Sequence, residues 1–192
     1  MKTKKQDIIT SSMRLFNNEG YQSPGIDRIS EVAGVSKMTF YRYFPDKESL
    51  IIVILEEKRL HFMSDIRQVV EKKSSTKDKL FAIFKYYDQW FSGSNFNGCM
   101  FTRAVMEFGH SISAIYDINI RFKTELGNMI RNILLSCLKP EPAERTAFII
   151  IMLIDGAIAA SQSQGMATKE YPPAMIAWMA TKAIIYSEGG TL

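Results

Sequence analysis

The chain has 192 residues, 46% of them hydrophobic and 23% charged, enough apolar material for one large or two small cores and too much for a disordered tail. Its net charge of +4 permits a polyanionic partner without demanding one, and residues 1–50, with eight Lys/Arg against six Asp/Glu, carry the same net +2 as the remainder. The two cysteines, Cys99 and Cys137, are too few for a disulfide framework and fit a reducing compartment. With only His61 and His110 beside them, no metal-ligand spacing appears, and no phosphate-binding Gly loop or nucleophile motif is present. The sequence reads as a non-enzyme with no cofactor. The N-terminus carries no apolar run, and the longest apolar stretch, residues 147–154, ends at Asp155, so a soluble cytoplasmic protein is expected.

In chain order, Lys2, Lys4 and Lys5 precede a first helix over about 5–18, with Ile8, Ser12, Leu15 and Phe16 as its buried stripe and Gly20 as its end. The lysines suit either a DNA backbone or a solvated terminus. In the next segment Ile26, Ile29 and Ala33 recur on one helical face. Gly34 can take the left-handed conformation that ends such a helix, and Ser36 stands where an N-cap belongs. Phe40 and Phe44 then stack at i, i+4, and Pro45 stops the pattern. Two short helices around a glycine turn make a helix-turn-helix, whose second helix enters the major groove in DNA-binding proteins. Opposite Phe40 and Phe44 lie Met38, Tyr41 and Arg42, flanked by Lys37 and Thr39. Arg and Thr can read base edges, and Lys37 and Tyr41 suit phosphates. Lys47, after a capping Asp46, would present an ammonium to a phosphate. Ser36, Lys37, Met38, Thr39, Tyr41, Arg42, Tyr43 and Lys47 are therefore the candidate DNA-binding residues. The bland reading of the same face is solvated surface beside a small core.

The residues Leu15, Phe16, Gly20, Tyr21, Ile26 and Ile29, then 33–37, Thr39, Tyr41, Phe44, Lys47, Glu48 and Leu50, resemble the N-terminal domain of the TetR family of bacterial transcriptional regulators. The likeness covers about the first quarter of the chain in register. It implies a dimeric, sequence-specific DNA-binding regulator, expected to be a repressor released from operator DNA by a small-molecule inducer. Two positions depart from the family pattern. Met38 stands where Gly is frequent, and Gly25, which has no hydroxyl, stands where Thr or Ser often meets a phosphate. The expected fold is all-α, with about nine helices: a three-helix DNA-binding domain over 1–50 and a helical ligand-binding and dimerisation domain over 51–192.

Beyond residue 46 a long helical pattern runs from 47 to 73 through Leu50, Ile54, Leu55, His61, Phe62, Ile66, Val69 and Val70, and a lever shared by two domains is plausible. Thr76 reads as the cap of an aromatic-rich helix over 77–91, and 92–98 is the clearest loop. Helices follow over 99–108, 111–138, 142–164 and from about 173 to 187. The Gly98-Cys99 start followed by Glu107 is similar to one subgroup of TetR-like C-terminal domains. The helix over 142–164 is apolar nearly all round and must be buried on more than one side. Together with the last helix it is expected to pair with its two-fold mates as a four-helix dimer interface, the alternative being completion of a monomer core. Trp90, Phe101, Met106, Phe122, Met129 and Asp155 are candidates for a ligand cavity, with plain core packing as the alternative for each. Asp155 needs a partner, for which Arg103, a hydroxyl or a cationic ligand qualifies, while capping or interface duty is the other reading. Cys99, at a helix start, suits either an oxidant-sensing thiol or an inert buried one. The contrasting reading of the whole is a helical ligand-binding or enzymatic protein that has lost DNA binding.

Overall fold

The computed structural model describes residues 3–109, 111–163 and 170–192. Lys2, His110 and Gln164, to which the sequence reading referred, lie outside the described residues. Among the described residues all regular structure is helical: α1 (Lys4–Glu19), α2 (Ile26–Val32), α3 (Lys37–Tyr43), α4 (Lys47–Glu71), α5 (Thr76–Phe91), α6 (Met100–Phe108), α7 (Ser113–Leu134), α8 (Pro140–Gln162) and α9 (Pro173–Ser187). No described helix is long and apolar enough to cross a membrane.

Packing divides the chain into two compact units, Met1–Leu60 with Cys99–Ile120, and His61–Gly98 with Arg121–Leu192. Within the first unit, α6 is fastened to the turn that follows α1. The Tyr21 hydroxyl donates to the Met100 carbonyl over 3.0 Å. The Glu107 carboxylate accepts from the backbone N–H groups of Tyr21 and Gln22 at 2.9 and 2.8 Å. Arg103 pairs with Glu107 at 3.2 Å and donates to the Asn17 carbonyl. Gly20 permits this approach: its φ is +82°, and a Cβ there would meet the Glu107 carboxylate at 2.8 Å. Burial pushes the Tyr21 phenol well above its ordinary range, and the Cys99 and Glu107 charges push it further.

In the first unit, Ile8, Ile9, Leu15 and Phe16 of α1 face Ile29, Phe40, Phe44, Leu50, Ile51 and Ile54 in one apolar core. Thr3 caps α1 by accepting from the Gln6 N–H, and the Gly20 N–H closes its end on the Phe16 carbonyl.

In the second unit, Phe62 is ringed by Tyr86, Tyr87, Trp90 and Phe122, with centroids 5.2–5.6 Å apart. Phe96 folds the 92–98 loop back onto Trp90 and Phe91 at 5.0 and 5.1 Å. Trp178 of α9 stacks on Phe81 and Phe84 of α5. Arg145 near the start of α8 reaches both Glu141 and Glu188, joining α8 to the end of α9.

Some local expectations need correction. Thr76 is not a cap. Ser75 is, accepting from the Asp78 N–H while its hydroxyl donates to the Asp78 carboxylate, a reciprocal pair that a residue one position later does not make. The helix expected to reach residue 138 stops at Leu134, where the Cys137 N–H turns back onto the Leu134 carbonyl. α8 begins at Pro140, two residues earlier than expected, since Pro is at home in a first turn. His61 is exposed, and the buried stripe of α4 passes through Phe62, Met63, Ile66 and Val70 instead.

Candidate nucleic-acid interface

The turn between α2 and α3 is built from local hydrogen bonds. Gly34 has φ +63°, the left-handed conformation expected of it, and the Val35 N–H returns to the Ser30 carbonyl over 3.0 Å. Ser36 is the N-cap of α3 and accepts from the Thr39 N–H at 3.1 Å, with the two hydroxyls 3.0 Å apart. Phe40 and Phe44 face the core with rings 5.8 Å apart. That anchoring leaves the opposite side of α3 in solvent.

Five of the eight predicted residues, Ser36, Lys37, Met38, Tyr41 and Arg42, are exposed there. Met38 is 83% exposed and Tyr41 52%, and Ser36, Lys37 and Arg42 are exposed beside them. Thr39 and Tyr43 are half-buried. Lys37 pairs with Asp27 at 2.5 Å, and this hydrogen bond raises its pKa above the ordinary lysine value. The Arg42 guanidinium lies over the Tyr43 ring at 5.1 Å and is 3.5 Å from its hydroxyl, so it is held on the helix surface. Lys47 has its ammonium on the carbonyls of Gln22 at 3.2 Å and Pro24 at 3.3 Å, where it braces the loop leading into α2. Asp46 caps α4 by accepting from the Ser49 N–H at 2.7 Å, which holds its carboxyl below the usual carboxylate range. Of the N-terminal lysines, Lys5 sits 6.0 Å from the centre of the Phe44 ring.

Of the six candidate pocket residues, Phe101 and Met106 fall in the first unit and the others in the second. Met106 is 81% exposed, on the side of α6 opposite buried Ala104. Phe101 is buried. Trp90 and Phe122 meet through Phe62. Asp155 pairs with Lys123, not with Arg103, and the Lys123 ammonium lies 5.8 Å from the centre of the Phe122 ring. Met129 is half-buried on α7. Cys99 is half-buried at the N-cap of α6 without a side-chain cap bond. The sequence reading noted Glu107 and Arg103 but missed their work beside Tyr21, and the only signal was their i, i+4 spacing.

Comparison with known proteins fits this geometry. Residues 8–54 match the model for "Bacterial regulatory proteins, tetR family". These residues therefore form a domain of that family. The matched segment opens in α1, contains the whole helix-turn-helix and ends in α4. A curated relative, the fatty acid metabolism regulator protein of Bacillus subtilis, is 26% identical over 92 residues, which are 48% of this chain and 47% of the relative. The HTH-type transcriptional regulator RutR of Escherichia coli K12 is 37% identical over 54 residues, 28% of this chain and 26% of that protein. The chain thus spans about half or less of the curated relatives it matches. Among solved structures, a TetR-family transcriptional regulator from Streptomyces coelicolor superposes with TM-score 0.87 at 19% identity, over 96% of this chain and 95% of that one. A TetR regulator from Chloroflexus aurantiacus gives 0.83 at 20% identity, over 96% and 95%. These likenesses establish a shared all-α TetR fold.

Proposed function

We propose that the chain is a dimeric, sequence-specific DNA-binding transcriptional regulator that works in the cytoplasm, a repressor released from operator DNA by a small-molecule ligand. The observation that carries this reading is the outer face of α3. The helix is capped by Ser36 and anchored by Phe40 and Phe44, and it holds Lys37, Met38, Tyr41 and Arg42 outward. A rigid, outward helix with cations and hydroxyls is what major-groove docking asks for. On this reading residues 1–50 carry DNA recognition and 51–192 carry dimerisation and ligand binding.

Dimerisation is supported by α8 and α9. Phe148 and Met152 on α8 and Ile176, Met179 and Tyr186 on α9 are exposed at helical spacing, a pattern that suits association with a second copy. A two-fold pair of these helices makes the four-helix interface, and two copies of α3 about 34–36 Å apart would read a palindromic site. For the ligand, Trp90 and Phe122 around Phe62, with the Lys123–Asp155 pair nearby, are the residues to alter first.

A gel-shift assay with the DNA upstream of the chain's own gene, run at several salt concentrations, tests the DNA reading. Retarded DNA whose affinity falls steeply with salt supports it, since each neutralised phosphate releases counterions. An absent or salt-insensitive shift would favour a helical ligand-binding or enzymatic protein that has lost DNA binding. Thermal-shift screening tests ligand uptake, because a molecule bound only by the folded state raises apparent stability.

A further inference from the structure

The geometry points to Met38 as a base-reading residue that selects thymine through apolar contact with its C5-methyl group. This rests on the proposed groove binding by α3. At 83% exposure, Met38 is the most exposed large apolar side chain among the described residues, and nothing in the core requires it there. Its polar neighbours are already engaged. Lys37 is drawn to Asp27, the Thr39 hydroxyl meets Ser36, and Arg42 lies over Tyr43.

Met38 brings no strong donor or acceptor to a base edge. In the major groove the base edges present donors and acceptors, and the one apolar group among them is the thymine methyl. A thioether chain therefore gains from a thymine what it gains from no other base: apolar area removed from water on both sides of the contact. Its three rotatable bonds let it reach that methyl without moving α3. Tyr41 and Arg42, at i+3 and i+4, share its face, so the thymine sits next to the nucleotides these two touch.

The test uses the full-length protein and duplexes enriched from a randomised library by the wild type. Each thymine of the enriched half-site is replaced singly by uracil, which removes only the methyl. One replacement should weaken wild-type binding about fourfold, the worth of roughly one buried methyl group. For Met38→Ala the same replacement should change nothing, and Met38→Leu should keep the preference. An enriched duplex with no uracil-sensitive thymine, or a sensitivity that survives in Met38→Ala, overturns the assignment while leaving DNA binding intact. Failure to enrich any duplex would sink the DNA reading itself, and this assignment with it.

Discussion

α3 in the first unit and α8 and α9 in the second expose apolar side chains in opposite ways. On α3 a single methionine stands among hydroxyls and charges. On α8 and α9 the exposed residues Phe148, Met152, Ile176, Met179 and Tyr186 recur at spacings of three, four and seven residues. The first unit is held by polar latches, with Glu107 on two backbone N–H groups and Tyr21 on a carbonyl. The second unit has a latch too, Arg145 on Glu141 and Glu188, but beside it α8 and α9 hold a row of apolar side chains in solvent. An isolated apolar group in a polar field discriminates, whereas a continuous stripe associates. On the proposed reading, the same residue type would serve specificity in one unit and affinity in the other.

The strongest way to break that comparison is Met179→Glu. Met179 is 60% exposed, so the change should leave the fold intact and place a carboxylate at the centre of the proposed interface. Sedimentation should show a monomer, and operator affinity should fall on the order of 10²-fold or more as the second half-site ceases to be an intramolecular contact. A stable dimer would move the interface elsewhere. Next in size is Glu107→Gln, which keeps the shape but removes the charge that faces two N–H donors and Arg103. Urea unfolding should show a loss of about 1–3 kcal/mol. No loss would mean that the contact between α6 and the turn after α1 is idle.

These two tests also separate what could be read in the sequence from what could not. The helix-turn-helix was legible because its determinants are local: Gly34 for the turn, Ser36 three residues before the Thr39 N–H it receives, Phe40 and Phe44 one turn apart. The order of the helices was legible from Gly, Pro and apolar period. Partners distant in sequence were not. Glu107 meets Tyr21 from 86 residues away, and Asp155 finds Lys123 across 32, so nothing near either acid named its partner. The outward placement of Met106 was not legible either, because composition alone cannot say which side of a short helix faces in. The end of α7 was misjudged because Leu138 is buried and prolongs the apolar rhythm after the helix has turned.

A smaller effect is expected for Tyr21→Phe. It deletes the hydrogen bond to the Met100 carbonyl and should cost about 1 kcal/mol at neutral pH. Its pH dependence is more telling. Burial raises the phenol's folded pKa above the ordinary 10.0, so the stability it contributes is complete below pH 10 and is lost as pH climbs beyond that. Wild type should therefore lose stability more steeply than Tyr21→Phe above pH 10. Parallel curves in alkaline urea titrations would show that this phenol is not buried on folding.

The least change, and the only gain, is expected of Gly25→Ser. Gly25 is the N-cap of α2 with no side chain to cap it, its backbone is extended, and a Cβ there meets nothing within 4 Å. A serine hydroxyl would accept from the open N–H groups of the first turn of α2, adding a few tenths of a kcal/mol over glycine. The same hydroxyl would stand where TetR-like domains often touch a phosphate. If the start of α2 meets the DNA backbone, operator affinity should rise across all sequences alike while the preference at the Met38 position stays fixed. A gain confined to particular sequences would place residue 25 against a base edge, and the division of labour between α2 and α3 would have to be redrawn.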